Sequence, residues 1–275
     1  MRNFNKETLA GKTAIITGAG GLLGPHHGIA LSCAGAKVIL ADINHEGLES
    51  SKNKILQVNS EAQIDTVILD ITNLEAVEDF EKSYRESNKY IDILINNAAV
   101  NPKMKELSSK VTGRVEDYDL EEWNKEIAVG ITGSFICSRV FGSIMAQEKE
   151  GVIINISSDI AIRAPDQRVY SPTMSFEDIQ SYKPLGYPIV KTALLGMTRY
   201  FAEYWGPRNI RVNALLPGGV FDNQPKELVE NVKKRTLLGR WANVDEYEDV
   251  IVFLASDSSA YMTGQSIIMD GGRSV

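Results

Sequence analysis

Seven short runs of apolar residues recur along the chain, and most are followed by a longer stretch with helical spacing. The runs are rich in valine and isoleucine, and they cover residues 12–17, 37–42, 66–70, 92–96, 152–157, 211–216 and 266–270. Near-continuous hydrophobicity is typical of strands that are buried on both faces of a parallel sheet. The alternation of strand and helix therefore predicts an α/β fold, a doubly wound parallel sheet of about seven strands with helices on both faces.

The predicted helices carry start signals. Thr72 is followed by Glu75, and Asp245 is followed by Glu248, which is the spacing of a capping box. The chain shows no internal repeat, linker or low-complexity tract. Residues 1–275 are therefore predicted to form a single domain.

One stretch breaks the regular pattern. Residues 159–186 contain three prolines and little periodicity. A long irregular loop inside a compact domain is usually functional or mobile. We therefore expect an inserted loop here, which either contacts a substrate, forms a solvated surface or packs against another subunit.

A glycine cluster follows the first predicted strand directly. The segment Thr17-Gly18-Ala19-Gly20-Gly21-Leu22-Leu23-Gly24 lies between this strand and a predicted helix. A glycine cluster alone is also compatible with a simple turn. Between a strand and a helix, however, it lets the backbone approach a pyrophosphate, which the free N–H groups and the positive dipole end of the helix would bind. The arrangement favours a dinucleotide site.

The second predicted strand ends at Asp42. A carboxylate in this place accepts hydrogen bonds from both hydroxyl groups of an adenosine ribose and repels a 2′-phosphate. A solvated loop aspartate is the alternative interpretation. The position of Asp42 after the glycine cluster favours the binding site, and with it NAD over NADP as the cofactor.

Composition sets limits on the function. The chain has a net charge of −7, which argues against a nucleic-acid partner because such a protein needs a basic face. Cys33 and Cys137 lie in apolar stretches and no histidine stands at metal-ligand spacing, so we expect neither a disulfide nor a metal site. No apolar run appears long enough to span a bilayer and the first residues resemble no signal segment. We therefore expect a cytoplasmic protein with no membrane partner.

The chain resembles the short-chain dehydrogenase/reductase family over essentially its whole length. Thr17, Gly18 and Gly24 match the family motif TGxxxGxG, residues 96–99 match NNAG, and Pro217-Gly218 matches the PG motif on the nicotinamide side. The resemblance implies a Rossmann-like fold, a homo-oligomer (tetramer or dimer) and a nicotinamide cofactor. The cofactor site would then comprise Gly18, Gly20, Gly21, Leu23, Gly24, Asp42, Asp70, Ile71, Asn97, Ala98, Tyr187, Lys191, Pro217, Gly218 and Val220.

The strongest motif is the YxxxK of residues 187–191. Tyr187 and Lys191 are four residues apart and share one face of a helix, so we expect the ammonium to lower the pKa of the phenol. In the family this lysine also holds the nicotinamide ribose, and an upstream serine completes the catalytic set. We align Ser158 with that serine, and Ser157 is the nearest alternative. The resemblance thus makes Ser158, Tyr187 and Lys191 the catalytic residues.

The irregular segment joins Ser158 to Tyr187, so both of its ends must lie at the catalytic site. Loops held in this way by a rigid scaffold commonly recognise substrate. Arginine suits the binding of phosphate or carboxylate. We therefore expect Ser158, Arg163, Arg168 and Tyr187 to bind the substrate.

Two positions depart from the family pattern. Leu22 replaces the middle glycine of the glycine motif, and Gly130 stands where the family carries an asparagine. That asparagine normally helps to hold a water in the proton relay from the lysine. The change at Gly130 is compatible with impaired catalysis or with another group that holds the water.

A second resemblance is to a bacterial branch of the family called flagellin modification protein A, which is associated with nonulosonic-acid (sialic-acid-like) sugar pathways. Residues 165–170 and 217–225 carry this resemblance. It implies a role in carbohydrate metabolism, with a sugar or a sugar phosphate as the substrate.

These features together predict an NAD-dependent oxidoreductase that transfers a hydride between NAD(H) and a hydroxyl or carbonyl carbon of a small polar substrate. One alternative is an NAD-binding regulator or scaffold with an impaired active site. Another is a dehydratase or epimerase that retains its NAD. The joint presence of Ser158, Tyr187 and Lys191 favours an enzyme over a regulator.

Overall fold

The computed structural model describes residues 5–87, 90–101, 113–171, 173–178 and 181–275. Within these residues, seven parallel strands form one sheet in the order β3-β2-β1-β4-β5-β6-β7. The strands are β1 (Thr13–Thr17), β2 (Lys37–Asp42), β3 (Ile64–Ile68), β4 (Ile93–Asn96), β5 (Gly151–Ile156), β6 (Ile210–Pro217) and β7 (Ser266–Met269). The order reverses direction between β1 and β4, which opens a ligand crevice at the carboxyl ends of these two strands.

Helices connect the strands and cover both faces of the sheet. They are α1 (Gly24–Cys33), α2 (His45–Val58), α3 (Leu74–Arg85), α4 (Leu120–Ile127), α5 (Ser134–Glu148), α6 (Gly186–Trp205), α7 (Lys226–Lys234) and α8 (Glu248–Ala255). A π-helical segment, Ala128–Gly133, joins α4 to α5.

The core is divided into two apolar clusters by the sheet. Ile16 of β1 belongs to the cluster that packs against α1, α2 and α8, whereas its neighbour Ile15 belongs to the cluster that packs against α3, α5 and α6. Alternate residues of a strand point to opposite faces, so each central strand contributes to both clusters. The predicted α/β fold, with helices on both faces of a parallel sheet, is confirmed.

The two edge strands differ from the prediction. β3 begins at Ile64 rather than at Thr66. Ile68 of β3 is 62% exposed and Ile268 of β7 is 46% exposed. The expectation that every strand is buried on both faces is wrong here, because an edge strand has one neighbour and is covered less completely.

The helix caps also lie elsewhere than predicted. Asn73 caps α3 by accepting the N–H of Ala76, because the hydroxyl of Thr72 donates to Asp70 instead. The capping box before α8 pairs Asn243 with Glu246. Both helices therefore have a capping residue near the predicted one, but it lies one or two positions away in the sequence.

One helical run, Leu120–Glu148, is long and apolar enough by composition to cross a membrane. The expectation that no run has this property is therefore wrong. Ile136, Phe141 and Met145 of this run lie in the core cluster that contains α3 and α6. Packing against the sheet accounts for the apolar character of the run.

The segment of residues 159–186 packs against α7. Its described residues form three short 3-10 helices, Asp159–Ala161, Gln167–Tyr170 and Phe176–Asp178. Val169 is buried with Leu228 and Val232 of α7, and Asn231 donates to the carbonyls of Val169 and Ser171 at 3.1 and 2.8 Å. Positions 172, 179 and 180 of the predicted loop lie outside the described residues.

The packing of α5 on α6 leads to a test with two glycines. A Cβ on Gly142 would lie 2.6 Å from the Trp205 ring, whereas a Cβ on Gly196 would meet nothing within 4 Å. Alanine is favoured over glycine in a helix by up to about 1 kcal/mol. We expect Gly196→Ala to raise the free energy of unfolding by about 0.5–1 kcal/mol, and Gly142→Ala to lower it by about 1–3 kcal/mol. Urea denaturation followed by circular dichroism measures both, and equal effects of the two variants would contradict this packing.

Candidate active site

The turn between β1 and α1 is shaped by glycines that lie against neighbouring backbone. Gly18 has a φ of +62°, and a Cβ there would lie 2.6 Å from Ala98 Cα. A Cβ on Gly24 would overlap the carbonyl oxygen of Ala19. Leu23 caps α1 without a side-chain hydrogen bond to the first turn. Apart from Pro25, which has no N–H, the residues at the start of α1 can therefore offer N–H groups to an anion, which fits a pyrophosphate.

Asp42 lies beside this turn at the end of β2. Its Oδ2 accepts the N–H of Gly20 at 2.9 Å, and its Oδ1 accepts the N–H of Asn44 at 2.9 Å. A Cβ on Gly21 would approach the Gly18 carbonyl to 3.2 Å. Leu22 is 43% exposed, so the departure from the family glycine adds no buried bulk to the turn. The carboxylate of Asp42 thus borders the glycine turn at the carboxyl end of β2.

Asn97 fastens the end of β4 to the end of β1. Its Nδ2 donates to the carbonyls of Thr17 and Gly18 at 3.0 and 2.9 Å. The Thr17 hydroxyl accepts the N–H groups of Asn97 and Ala98 at 3.1 and 3.2 Å. These bonds close the crevice from the side of β4, and Thr17 and Asn97 hold each other in place.

Asp70 and Ile71 follow β3 at the same end of the sheet. Asp70 is exposed, and its Oδ1 accepts the N–H and the hydroxyl of Thr72 at 2.9 and 2.7 Å. Ile71 is buried, and a Cβ on Gly133 would approach its Cδ1 to 2.6 Å. The carboxyl end of β3 thus carries one exposed polar side chain and one buried apolar side chain.

A buried amide network supports the crevice from below. Asn96 donates to Ser138 Oγ and to Asn155 Oδ1, both at 2.9 Å, and Asn155 donates to Thr198 Oγ1 at 2.8 Å. The network joins β4 and β5 to α5 and α6. Sequence reasoning did not assign a role to Ser138 or Thr198, although polar residues within buried apolar runs were the available signal.

The two candidate serines after β5 have different partners. Ser157 Oγ donates to the carbonyl of Lys191 at 2.7 Å in a buried position. Ser158 Oγ is 3.0 Å from Asp159 Oδ1 and 3.4 Å from the carbonyl of Pro217. Ser157 therefore serves to hold α6, and this geometry favours Ser158 as the serine that would meet a substrate.

Tyr187 and Lys191 lie on the first turns of α6 beside the end of β5. The Nζ of Lys191 donates to the carbonyl of Ile156 at 2.7 Å and lies 5.4 Å from the centroid of the Tyr187 ring. Lys191 is 3% exposed. The structure thus brings Tyr187, Lys191 and Ser158 to the same end of the sheet.

Burial changes the pKa values of this pair in opposite directions. Desolvation raises the pKa of the Tyr187 phenol, and the Asp159 carboxylate raises it further. Desolvation lowers the pKa of Lys191 to about 8, and the nearby Lys183 cation also lowers it. For this chain's own side chains desolvation is the largest influence on the phenol, and the lowering of its pKa expected from the Lys191 ammonium is not observed.

The C-terminal segment reaches Asp159, the residue after Ser158, through an ion pair. Arg273 Nη1 lies 3.2 Å from Asp159 Oδ2, and the guanidinium of Arg163 donates to the Arg273 carbonyl. Burial raises the pKa of Asp159, and the Arg273 cation counteracts this shift. Arg163, a predicted substrate ligand, is thus close to Asp159 but is engaged by the C-terminal backbone.

Arg168 does not join the catalytic residues. Its Nε and Nη2 donate to both carboxylate oxygens of Asp166 at 2.9 and 2.8 Å. Arg235 binds the same carboxylate at 2.6 Å, and the Arg168 guanidinium lies 5.4 Å from the Phe176 ring centroid. The predicted substrate contact at Arg168 is therefore not supported, because Asp166, two residues away, takes the bidentate geometry that a substrate would need.

The PG turn after β6 lies between β6 and β7. The N–H of Gly218 donates to the Met269 carbonyl at 2.9 Å, and a Cβ on Gly218 would lie 2.6 Å from Asp270 Cα. The Val220 backbone forms a parallel bridge with Ala242. Pro217 and Gly218 thus lie at the carboxyl end of β6, where Ser158 Oγ lies 3.4 Å from the Pro217 carbonyl, and Val220 follows beside Ala242.

Gly130, which replaces the family asparagine, lies in the π-helical segment against α6. A Cβ on Gly130 would overlap Cγ1 of Val190, which is 2% exposed between Tyr187 and Lys191. Val190 therefore occupies the space into which a side chain at position 130 would project. The loss of the asparagine and the presence of Val190 are sterically matched.

Comparisons with known proteins agree with this arrangement. A sequence model of the family described as enoyl-(acyl carrier protein) reductase matches residues 23–274. The chain is 30% identical to the 3-oxoacyl-[acyl-carrier-protein] reductase of Thermotoga maritima, over 96% of this chain and 98% of that protein. It is 31% identical to the 2-dehydro-3-deoxy-D-gluconate 5-dehydrogenase of Bacillus subtilis, over 96% of this chain and 95% of that protein.

A solved structure has the same architecture. The short-chain dehydrogenase of Leptospira borgpetersenii, crystallised with bound NAD+, superposes with a TM-score of 0.84 at 27% identity. The match covers 98% of this chain and 95% of the other. The similarity therefore extends over almost the whole chain.

The contact between Gly130 and Val190 can be tested by a double-mutant cycle. We expect Gly130→Ala to lower the free energy of unfolding by about 1–3 kcal/mol, because the added methyl group overlaps Val190. In a Val190→Ala background the same change is expected to cost less, because the space is free. Denaturant titrations of the four proteins give the coupling energy. Strictly additive effects would show that the two positions do not share this space.

Proposed function

Because the chain belongs to the short-chain dehydrogenase/reductase family, we propose that it is an NAD-dependent oxidoreductase acting on a CH–OH carbon of a small polar substrate. The observation that carries the proposal is the placement of Ser158, Tyr187 and Lys191 beside the dinucleotide crevice, at the carboxyl end of β5. A protein that only binds NAD has no need of all three groups.

The crevice fits a nicotinamide dinucleotide in its shape and in its donor groups. Gly18, Gly24 and the uncapped start of α1 would hold the pyrophosphate. Asp42 would accept hydrogen bonds from the adenosine ribose. The Lys191 ammonium has three donors and one of them binds Ile156, so two remain for the nicotinamide ribose. The relative from Leptospira borgpetersenii, which holds NAD+, supports this choice of cofactor.

In the oxidative direction, bound NAD supplies the acceptor for the substrate hydride. The ionised Tyr187 Oη would take the proton of the substrate hydroxyl and become the neutral phenol, and Ser158 Oγ would donate a hydrogen bond to the same oxygen and fix its position. The Lys191 ammonium would stabilise the phenolate before it takes this proton. In the reductive direction, Tyr187 would return the proton to the carbonyl oxygen.

The substrate is proposed to be a polyhydroxylated molecule such as a sugar or a sugar acid. The relative from Bacillus subtilis is named for a sugar acid, which supports this class. Incubation of the purified protein with NAD and a panel of sugars, polyols and sugar acids tests the proposal, with NADH absorbance as the readout. Net accumulation of NADH supports a dehydrogenase. Product formation without NADH would indicate an epimerase or dehydratase, and the absence of any turnover would indicate a regulator.

Cofactor preference can be measured without a substrate. We expect NAD to bind much more tightly than NADP, because the Asp42 carboxylate repels the 2′-phosphate. Asp42→Asn keeps the shape and removes the charge, so it is expected to narrow the difference between the two affinities. Calorimetric titration of both cofactors into both proteins gives the values. Equal affinity of the unaltered protein for NAD and NADP would refute the role of Asp42.

The role of Tyr187 can be tested with a matched pair of phenylalanine variants. Tyr187→Phe is expected to reduce kcat by about 100-fold or more, because the proton-transfer group is lost. NAD affinity should be retained, since the phenol is no main anchor of the cofactor. Tyr182→Phe, in the same segment, should leave kcat close to that of the parent protein. Normal turnover by Tyr187→Phe would show that the tyrosine is wrongly assigned, with Tyr170 and Tyr182 as the next candidates.

A further inference from the structure

Lys183 is held against the candidate catalytic tyrosine by neutral partners. It lies in the segment of residues 159–186, just before α6. Its backbone N–H donates to Gln167 Oε1 at 2.8 Å, and its Nζ donates to Asn101 Oδ1 at 2.6 Å. The Nζ lies 4.3 Å from the centroid of the Tyr187 ring, closer than the Nζ of Lys191 at 5.4 Å. A fixed ammonium group therefore lies on the face of the ring whose hydroxyl would meet the substrate.

The positive charge of Lys183 has no carboxylate within ion-pair distance among the residues that the structure describes. Glu126 of α4 and Asp159 attract it from further away, and Arg273 repels it. Asp159 is already paired with Arg273. Lys191 is a second cation close to Lys183 and adds to the positive charge beside Tyr187.

Glu126 is a weak counter-charge for Lys183. Its Oε2 accepts the Tyr118 hydroxyl at 2.7 Å, and burial raises the pKa of the carboxyl group, which favours its neutral form. The pocket beside Tyr187 therefore carries excess positive charge within a chain whose net charge is −7. A local positive site in an acidic protein concentrates anions from solution.

The surroundings of Lys183 disfavour its charged form. Desolvation lowers the pKa of Lys183 to about 8. An ammonium group in this state gains most from an anionic ligand, because an opposite charge at short range restores the charged form. A neutral polyol carries no opposite charge, so it would not stabilise the Lys183 ammonium in this way.

We propose that Lys183 binds an oxyanion of the substrate, a carboxylate or a phosphate, next to the carbon that reacts at Tyr187. The substrate class is therefore a hydroxy acid or a phosphorylated polyol rather than a neutral sugar. This inference rests on the proposed function, because Tyr187 defines where the reacting carbon lies. It transfers to Lys183 the role that the sequence suggested for Arg163 and Arg168, whose guanidinium groups bind the Arg273 carbonyl and Asp166.

Binding measurements with two pairs of probes test the proposal without turnover. Tartrate is compared with threitol, and glycerol 3-phosphate is compared with glycerol; each pair shares a carbon skeleton and differs in charge. Calorimetric titration into the NAD-loaded protein is expected to show binding of at least one anion, about tenfold or more tighter than its neutral counterpart. The two anions distinguish a carboxylate site from a phosphate site.

Variants identify the residue responsible. Lys183→Met is expected to weaken anion binding by about tenfold or more, and Lys183→Arg is expected to retain most of it. Arg168→Met is the matched control, since Arg168 is bound to Asp166 in the same segment, and it should leave anion affinity unchanged. Unaltered NAD affinity and circular dichroism confirm that each variant is folded, and Lys183→Gln replaces any variant that is not.

The pH dependence supplies a second readout. Lys183 has a lowered pKa of about 8, so its charged form is present below that pH and is lost above it. Anion affinity should therefore fall between about pH 7 and about pH 9, and the part due to Lys183 should be absent in Lys183→Met. The other groups that face this ammonium are Glu126, Asp159, Tyr187, Lys191 and Arg273, and they are common to both proteins.

Three results would overturn the proposal: no binding of either anion to the parent protein, equal affinity for charged and neutral probes, or undiminished anion binding by Lys183→Met. Failure of the proposed function looks different. In that case the anions would still bind through Lys183, while no hydroxy acid, phosphorylated polyol or neutral sugar would produce NADH.

Discussion

Two buried hydrogen bonds attach α6 to the end of β5, one from Ser157 Oγ to the Lys191 carbonyl and one from Lys191 Nζ to the Ile156 carbonyl, both at 2.7 Å. They fix the axial position of α6 relative to the strand. Tyr187, one turn before Lys191, and Ser158, the residue after Ser157, then face the same crevice. The segment between these two residues can be long and irregular because the attachment does not depend on it.

Desolvation dominates the electrostatics of this site. It raises the pKa of Tyr187 and lowers the pKa of both Lys191 and Lys183, so each group is driven towards its neutral form. A charge close to one of these groups then has a large effect on its pKa, since little water screens the interaction. The Asp159–Arg273 pair keeps one carboxylate from neutralising the lysines. An anionic substrate would favour the charged forms of the two lysines, whereas the same desolvation opposes a negative charge on the phenol.

The departures from the family pattern are matched by other residues of the chain. Val190 occupies the volume that a side chain at Gly130 would need. Glu126, one turn earlier on the same helical run, places a buried carboxyl group against Gly186, where a Cβ would overlap it. The segment of residues 159–186 is fixed to α7 and brings Lys183 close to the Tyr187 ring. Gly130 and this segment thus both shape the surroundings of Tyr187.

The sequence by itself determined the sheet, the glycine turn and the pairing of Tyr187 with Lys191, because these depend on local periodicity: apolar runs mark buried strands, and a spacing of four residues places two side chains on one face of a helix. Only the tertiary structure decided which residues form β3, that Arg168 binds Asp166, and that Lys183 lies against the Tyr187 ring. It also decided the direction of the Tyr187 pKa shift. Each of these depends on edge exposure, on desolvation or on contacts that the fold selects among several available partners. Such quantities are properties of the packed chain, and no pattern along the sequence encodes them.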